Sequence, residues 1–134
     1  GEKKTNVVMI LSDDQGSWAM GCYGNPEIKT PNLDSFGSKI DGLLALRNST
    51  AGVLSSQGLL LTGKIPSQHG IHDYLSGGNG GAEQESIEFL KEHCGYTDVL
   101  AENGYTCGLS GKWHLGAGML PQKGFSFWYT HQKG

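Results

Sequence analysis

The chain has 134 residues, a formal net charge of −3, 37% apolar residues and 22 glycines. That length supports one domain, residues 1–134, with a modest core, and the glycine content raises the entropy cost of ordering it. The mild negative charge and the lack of a basic cluster argue against nucleic acid as a partner, and no apolar run reaches the roughly 20 residues that span a bilayer. Gly1-Glu2-Lys3-Lys4 does not read as a signal peptide, which leaves localisation open. Cys22, Cys94 and Cys107 have no metal-ligand spacing and are odd in number, so they read as small hydrophobes rather than as a disulfide framework.

In chain order, Val7-Val8-Met9-Ile10-Leu11 is an apolar run that predicts a strand buried on both faces. Asp13-Asp14-Gln15 follows at its carboxyl end, where open α/β sheets place ligands. Two neighbouring carboxylates there suit a hard divalent cation such as calcium, and the plainer reading is a solvated, capping Asp-Asp turn. Thr30 followed by Pro31 predicts a helix through about Lys39, with Leu33, Phe36 and Ile40 on one face. A second helix is predicted from Ser55 or Ser56 to Gly63, with Val53 to Gln57 at its N-terminus, where helix dipole and free N–H groups favour an anion.

Ser76 to Gly81 reads as a loop, and Ile87 to Glu92 as a short amphipathic stretch. Thr97 is expected to cap a helix that ends at Gly104, and Tyr105 to Leu109 to form the next strand. A helix returning to a parallel strand is α/β grammar, and it predicts Lys112 and His114 at a strand end, on the sheet edge that carries Asp13 and Asp14. His69, after Ile65-Pro66, reads as a structural residue stitching loop backbone. His72, Asp73, His93 and His131 read as surface residues. Trp113, Phe125, Phe127, Trp128 and Tyr129 read as packing groups, with a sugar platform as the alternative.

Four blocks carry a resemblance. Asn6 to Gly16 with Gly21-Cys22-Tyr23-Gly24-Asn25, then Thr30-Pro31-Asn32-Leu33-Asp34, then Leu60 to Gly70, then Gly108 to Gly116 resemble, in order, the N-terminal part of the formylglycine-dependent sulfatases. The resemblance runs from Asn6 to about Gly124 and is weakest between Phe36 and Gly58. It implies an alkaline phosphatase-like α/β fold, a mostly parallel sheet flanked by helices, of which this chain is the N-terminal portion. It also implies hydrolysis of a sulfate ester, with sulfated carbohydrate among the substrates. Asp13 and Asp14 would be calcium ligands, and Lys112 and His114 would contact the sulfate and the nucleophile. Family members are often secreted, periplasmic or lysosomal.

The chain departs from the pattern at its most important point. Counting back from Leu60-Leu61-Thr62-Gly63, the position oxidised to formylglycine falls on Val53, the motif proline on Ser55, its serine on Ser56 and its arginine on Gln57. Counting forward from Gly42 places the nucleophile nearer Ser55, and neither register supplies Cys, Pro and Arg together. Valine cannot become the aldehyde, and Gln57 lacks the fixed cationic fork of arginine. Three readings follow: a sulfatase portion inactive as it stands, a non-catalytic module binding an anion or sulfated sugar, or a metal-dependent phosphoryl hydrolase using Ser55 or Ser56. A parallel sheet cut from a larger one also predicts an unpaired edge and self-association.

Overall fold

The computed structural model describes residues 4–38, 53–72 and 87–131. It divides into two compact units, Gly1–Arg47 and Asn48–Gly134. Among the described residues, no helix is long and apolar enough to cross a membrane.

In the first unit, the run Val7 to Leu11 corrects the expectation of a doubly buried strand. It forms no strand, and its five side chains are between 56% and 91% exposed. β-branched residues favour extended backbone only when a ladder and a packed face reward it, and this run has neither among the described residues. Two 3₁₀ turns follow, Ser17–Ala19 and Gly21–Tyr23. Asn25 Nδ2 ties them down by donating to the Trp18 carbonyl at 2.5 Å.

Helix α1 spans Pro31–Gly37, with Thr30 at the N-cap and Pro31 in the first turn as expected. Thr30 nevertheless does not cap with its side chain. Its hydroxyl accepts the Gly21 N–H at 2.9 Å and donates to Asp34 Oδ1 at 2.9 Å, and Asp34 Oδ1 also accepts the Cys22 N–H at 2.7 Å. Thr30 and Asp34 therefore staple the second 3₁₀ turn to α1. Leu33 and Phe36 are exposed, so the apolar face predicted for this helix is uncovered; Ile40 lies outside the described residues, as do Asp73 and the loop Ser76 to Gly81.

The second unit opens with α2, Val53–Thr62, which Gly63 ends at φ 68 with its amide donating to the Leu59 carbonyl at 2.7 Å. A single turn, α3, Pro66–His69, follows. The segment from Ile87 to His93 is a series of turns that inserts the fully buried Leu90. Helix α4, Tyr96–Glu102, starts two residues earlier than predicted. Its N-cap is Gly95, whose N–H donates to Asp98 Oδ2 at 2.7 Å, so an aspartate one turn in does the capping assigned to Thr97. Thr97 is instead buried inside the first turn, its hydroxyl without a partner among the described residues. Gly104, at φ 76, follows the end of the helix as expected.

Strand β1, Cys107–Lys112, pairs in parallel with β2, Phe125–His131. The strand expected at Tyr105 to Leu109 thus begins and ends later, and β2 was hidden among residues read as aromatic packing. Phe125 and Trp128 do pack, whereas Phe127 and Tyr129 are 60% and 74% exposed. Helices beside a parallel pair are the α/β arrangement that the sequence predicts. The core joins Leu61 of α2, Ile71, Leu90, Trp113 and Leu115, with Phe89, Leu109, Phe125 and Trp128 against it. Trp113 meets Trp128 edge-on at 5.0 Å and Phe125 at 6.5 Å.

Candidate functional site

Lys112 is the last residue of β1, opposite His131 in the register, and is half-buried. Trp113 extends the ladder by one bond, donating its N–H to the His131 carbonyl at 3.0 Å. Its indole Nε1 then donates to the Gly116 carbonyl at 2.8 Å, closing the turn that carries His114. His114 is 6% exposed within a buried stretch running from Trp113 to Gly118.

That stretch is pinned from several sides. Gln122 Nε2 donates to the carbonyls of Gly116 and Ala117 at 2.9 and 2.8 Å. Trp128 Nε1 and Thr130 Oγ1, both on β2, donate to the Gly118 carbonyl at 2.7 and 2.9 Å. Gly116, at φ 78, passes so close to the Ile87 carbonyl that a β-carbon would lie 1.8 Å from it. Buried carbonyls are here satisfied by side chains rather than by a ladder, and the backbone on either side of His114 is held in one geometry. Gln122 was not anticipated from sequence; a lone glutamine between Pro121 and Lys123 carries no spacing signal.

Helix α2 carries the positions matched to the nucleophile motif: Val53 is its first residue and Gln57 lies one turn on, half-buried. Ser55 is 1% exposed and Ser56 is half-buried. Through Leu61, α2 shares the core with Trp113 and Leu115, the two neighbours of His114. The second unit therefore builds its helix and its lysine-histidine turn around one apolar cluster.

Asp13 and Asp14 belong to the first unit, where both are exposed and Asp14 takes a positive φ of 56 in a bend. Their oxygen donors fit a hard divalent cation in kind, and two carboxylates fill part of such a cation's coordination shell. Among the described residues, no group of three or more His, Cys, Asp or Glu side chains is placed to hold a metal.

The remaining histidines separate by environment. His69 is 3% exposed and its Nδ1 accepts the Ile71 N–H at 3.2 Å, the backbone stitching expected of it. His93, read from sequence as a surface residue, is half-buried with its Nδ1 3.3 Å from Lys64 Nζ. His72 and His131 are exposed. All three cysteines are free, Cys107 buried, Cys22 half-buried and Cys94 exposed.

Comparison with known proteins is decisive about ancestry: the family model for sulfatases matches residues 5–134. The chain belongs to the sulfatase family. It is 34% identical to human arylsulfatase A over 143 aligned positions, covering 96% of this chain and 26% of that relative. It is 32% identical to human steryl-sulfatase, with 84% of this chain and 19% of the relative covered. It is also 32% identical to the N-acetylglucosamine-6-O-sulfatase of Bacteroides thetaiotaomicron, with 94% and 20% covered. This sulfatase chain thus spans about a quarter or less of the length of the curated relatives it matches. No solved structure matches it at a significant level.

Proposed function

We propose that the chain supplies the sulfate-handling part of a sulfatase site, with Lys112 and His114 as the groups that meet the sulfate and the nucleophile, and that it does not turn over a sulfate ester by itself. The observation that carries this reading is the pinned turn after β1. A half-buried ammonium at a strand end, followed by a buried imidazole whose backbone is fixed by Trp113, Gln122, Trp128 and Thr130, is a preorganised arrangement for developing negative charge. Lys112 would hold a sulfate oxygen as a point charge, and His114 would orient or move a proton at the reacting centre. The similarity to an N-acetylglucosamine-6-O-sulfatase supports a sulfated sugar as the substrate class.

Asp13 and Asp14 would hold a calcium ion, which when bound supplies positive charge for a sulfate oxygen and for the nucleophile. The chain's own nucleophile is missing, because Val53 cannot be oxidised to formylglycine and Gln57 offers no cationic fork. In the phosphoryl-hydrolase alternative, Ser55 at 1% exposure presents no accessible hydroxyl, which leaves the half-buried Ser56 as its nucleophile.

Two measurements on the 134-residue chain test the proposal. Aryl sulfate hydrolysis is expected not to exceed buffer, while titration with inorganic sulfate is expected to shift the His114 ring resonances in wild type and not in Lys112→Ala. Turnover of the aryl sulfate would overturn the inactivity. Sulfate binding that survives Lys112→Ala would overturn the site.

A further inference from the structure

The second unit contains a histidine that the sulfate-handling turn does not use. His69 closes α3 and lies 3% exposed against α2, its ring so near Gly58 that a β-carbon there would come within 3.0 Å of Cε1. Its Nδ1 accepts the Ile71 N–H at 3.2 Å. An imidazole nitrogen that accepts carries no proton, so the ring is the neutral tautomer with its hydrogen on Nε2. Nε2 is buried and has no hydrogen-bond partner among the described residues. Ile71, 2% exposed, is one of the five residues of the core, so this bond ties the end of α3 to the cluster that also holds Leu61 and Trp113.

We propose that His69 is an acid-sensitive pin: in its neutral form it fastens Ile71 and the end of α3 onto α2, and protonation at Nδ1 releases them. A proton on Nδ1 would face the Ile71 N–H, donor against donor, and the hydrogen bond could not survive in that geometry. Among the described residues no anionic side chain acts on the ring, and the groups that favour the new charge are backbone ones, its own and that of Ser55. Helix α2, the element packed against the ring, contains no charged residue. From the turn before α4 comes His93, already 3.3 Å from the Lys64 ammonium, and from the chain just beyond α3 comes His72. Among the described residues, these side-chain neighbours are all neutral or cationic.

The electrostatics agree in sign. Burial lowers the affinity of His69 for a proton below the ordinary histidine value of 6.5, and His93 and His72 act in the same direction against the weaker opposing effect of its own backbone and that of Ser55. The folded state therefore binds this proton less readily than the unfolded chain does. The stability contributed by neutral His69 is complete above pH 6.5 and is lost as the pH falls through the lower, folded value.

The test follows the Ile71 amide by hydrogen exchange, corrected for intrinsic rate, together with the His69 ring nitrogens by NMR, from pH 8 to pH 4. In wild type the protection of Ile71 is expected to fall, by up to about tenfold for each pH unit, as the pH drops from 6.5 towards the lower folded value of His69, and to level off below it. His69→Asn keeps an acceptor near the Nδ1 position but cannot titrate, and should abolish the step attributable to residue 69. His93→Gln should retain that step at a higher pH. Ile71 protection independent of pH in wild type, an unchanged step in His69→Asn, or ring shifts placing the neutral-pH proton on Nδ1 would each overturn the proposal.

Discussion

Asp98 shows how much one side chain can carry in this molecule. Its Oδ2 accepts the Gly95 N–H at 2.7 Å, capping α4, and also lies 3.3 Å from Lys123 Nζ. Lys123 donates as well to the His93 carbonyl, so its ammonium, on a side chain only 10% exposed, joins the turn before α4 to the connection between β1 and β2. Removing Asp98 costs a helix cap, about 1 kcal/mol, and leaves a largely buried cation with one carbonyl partner. Asp98→Ala is expected to destabilise the second unit by about 2 kcal/mol in urea unfolding, and Asp98→Asn by less; Lys123→Met in the Asp98→Ala background should recover part of the loss. Equal losses for Ala and Asn would deny the cap its part. The sequence marked residues 97 and 98 as a helix start but favoured the threonine, because N-cap preferences ignore a carboxylate that reaches back from the first turn. The sequence places Lys112 and His114 just beyond a strand, and that placement holds, with Lys112 ending β1 and His114 in the turn after it. Gln122 was not legible, since what it holds becomes visible only when the chain folds back on Gly116 and Ala117.

At the level of elements, helices were read well and strands poorly. Glycines past helix ends, at Gly63 and Gly104, and Pro31 inside a first turn are local signals, and α1, α2 and α4 lie within two or three residues of their predicted places. Strands depend on partners that sequence does not name. β2 begins beside a partner 18 residues earlier in the chain, Cys107 facing Phe125, and its mixture of aromatics with Ser126 and Thr130 does not alternate cleanly. The connection between the two strands, residues 113–124, carries no helix and relies on backbone turns that side chains hold in place. Two glycines make that possible. At Gly116 and Gly124, φ is 78 and 72, and a β-carbon would meet the Ile87 carbonyl at 1.8 Å and the Thr97 carbonyl at 2.6 Å. Both penalties fall on backbone that cannot rotate away. Gly116→Ala and Gly124→Ala are each expected to cost more than about 2 kcal/mol, with Gly116→Ala the worse, whereas Ala at Gly24, positive in φ but open around its Cα, should cost about 1 kcal/mol. Thermal unfolding of the three variants checks the order.

Across the whole molecule, apolar surface remains uncovered. Val7, Val8, Ile10 and Leu11 in the first unit, and Met119, Leu120, Phe127 and Tyr129 in the second, are each at least 60% exposed. Strand and patch physics both make such surface adhesive. Light scattering of the chain is expected to show self-association that grows with concentration, and hydrogen exchange to show rapid exchange through Val7 to Leu11 alongside slow exchange in β1. A monodisperse monomer, or protection at Val8 and Ile10 equal to that of Leu109, would show that the apolar run is covered after all.

The packing of α2 has a consequence for descent. Leu61, which joins this helix to the core, lies near its C-terminal end, eight residues after Val53 at its first position. On the proposed function, the residue that joins this helix to the apolar core and the position matched to the nucleophile thus lie at opposite ends of it. Selection for a folded chain can hold Leu61 while leaving position 53 free to drift, so a lineage that ceases to need the reaction can shed its nucleophile without shedding the protein.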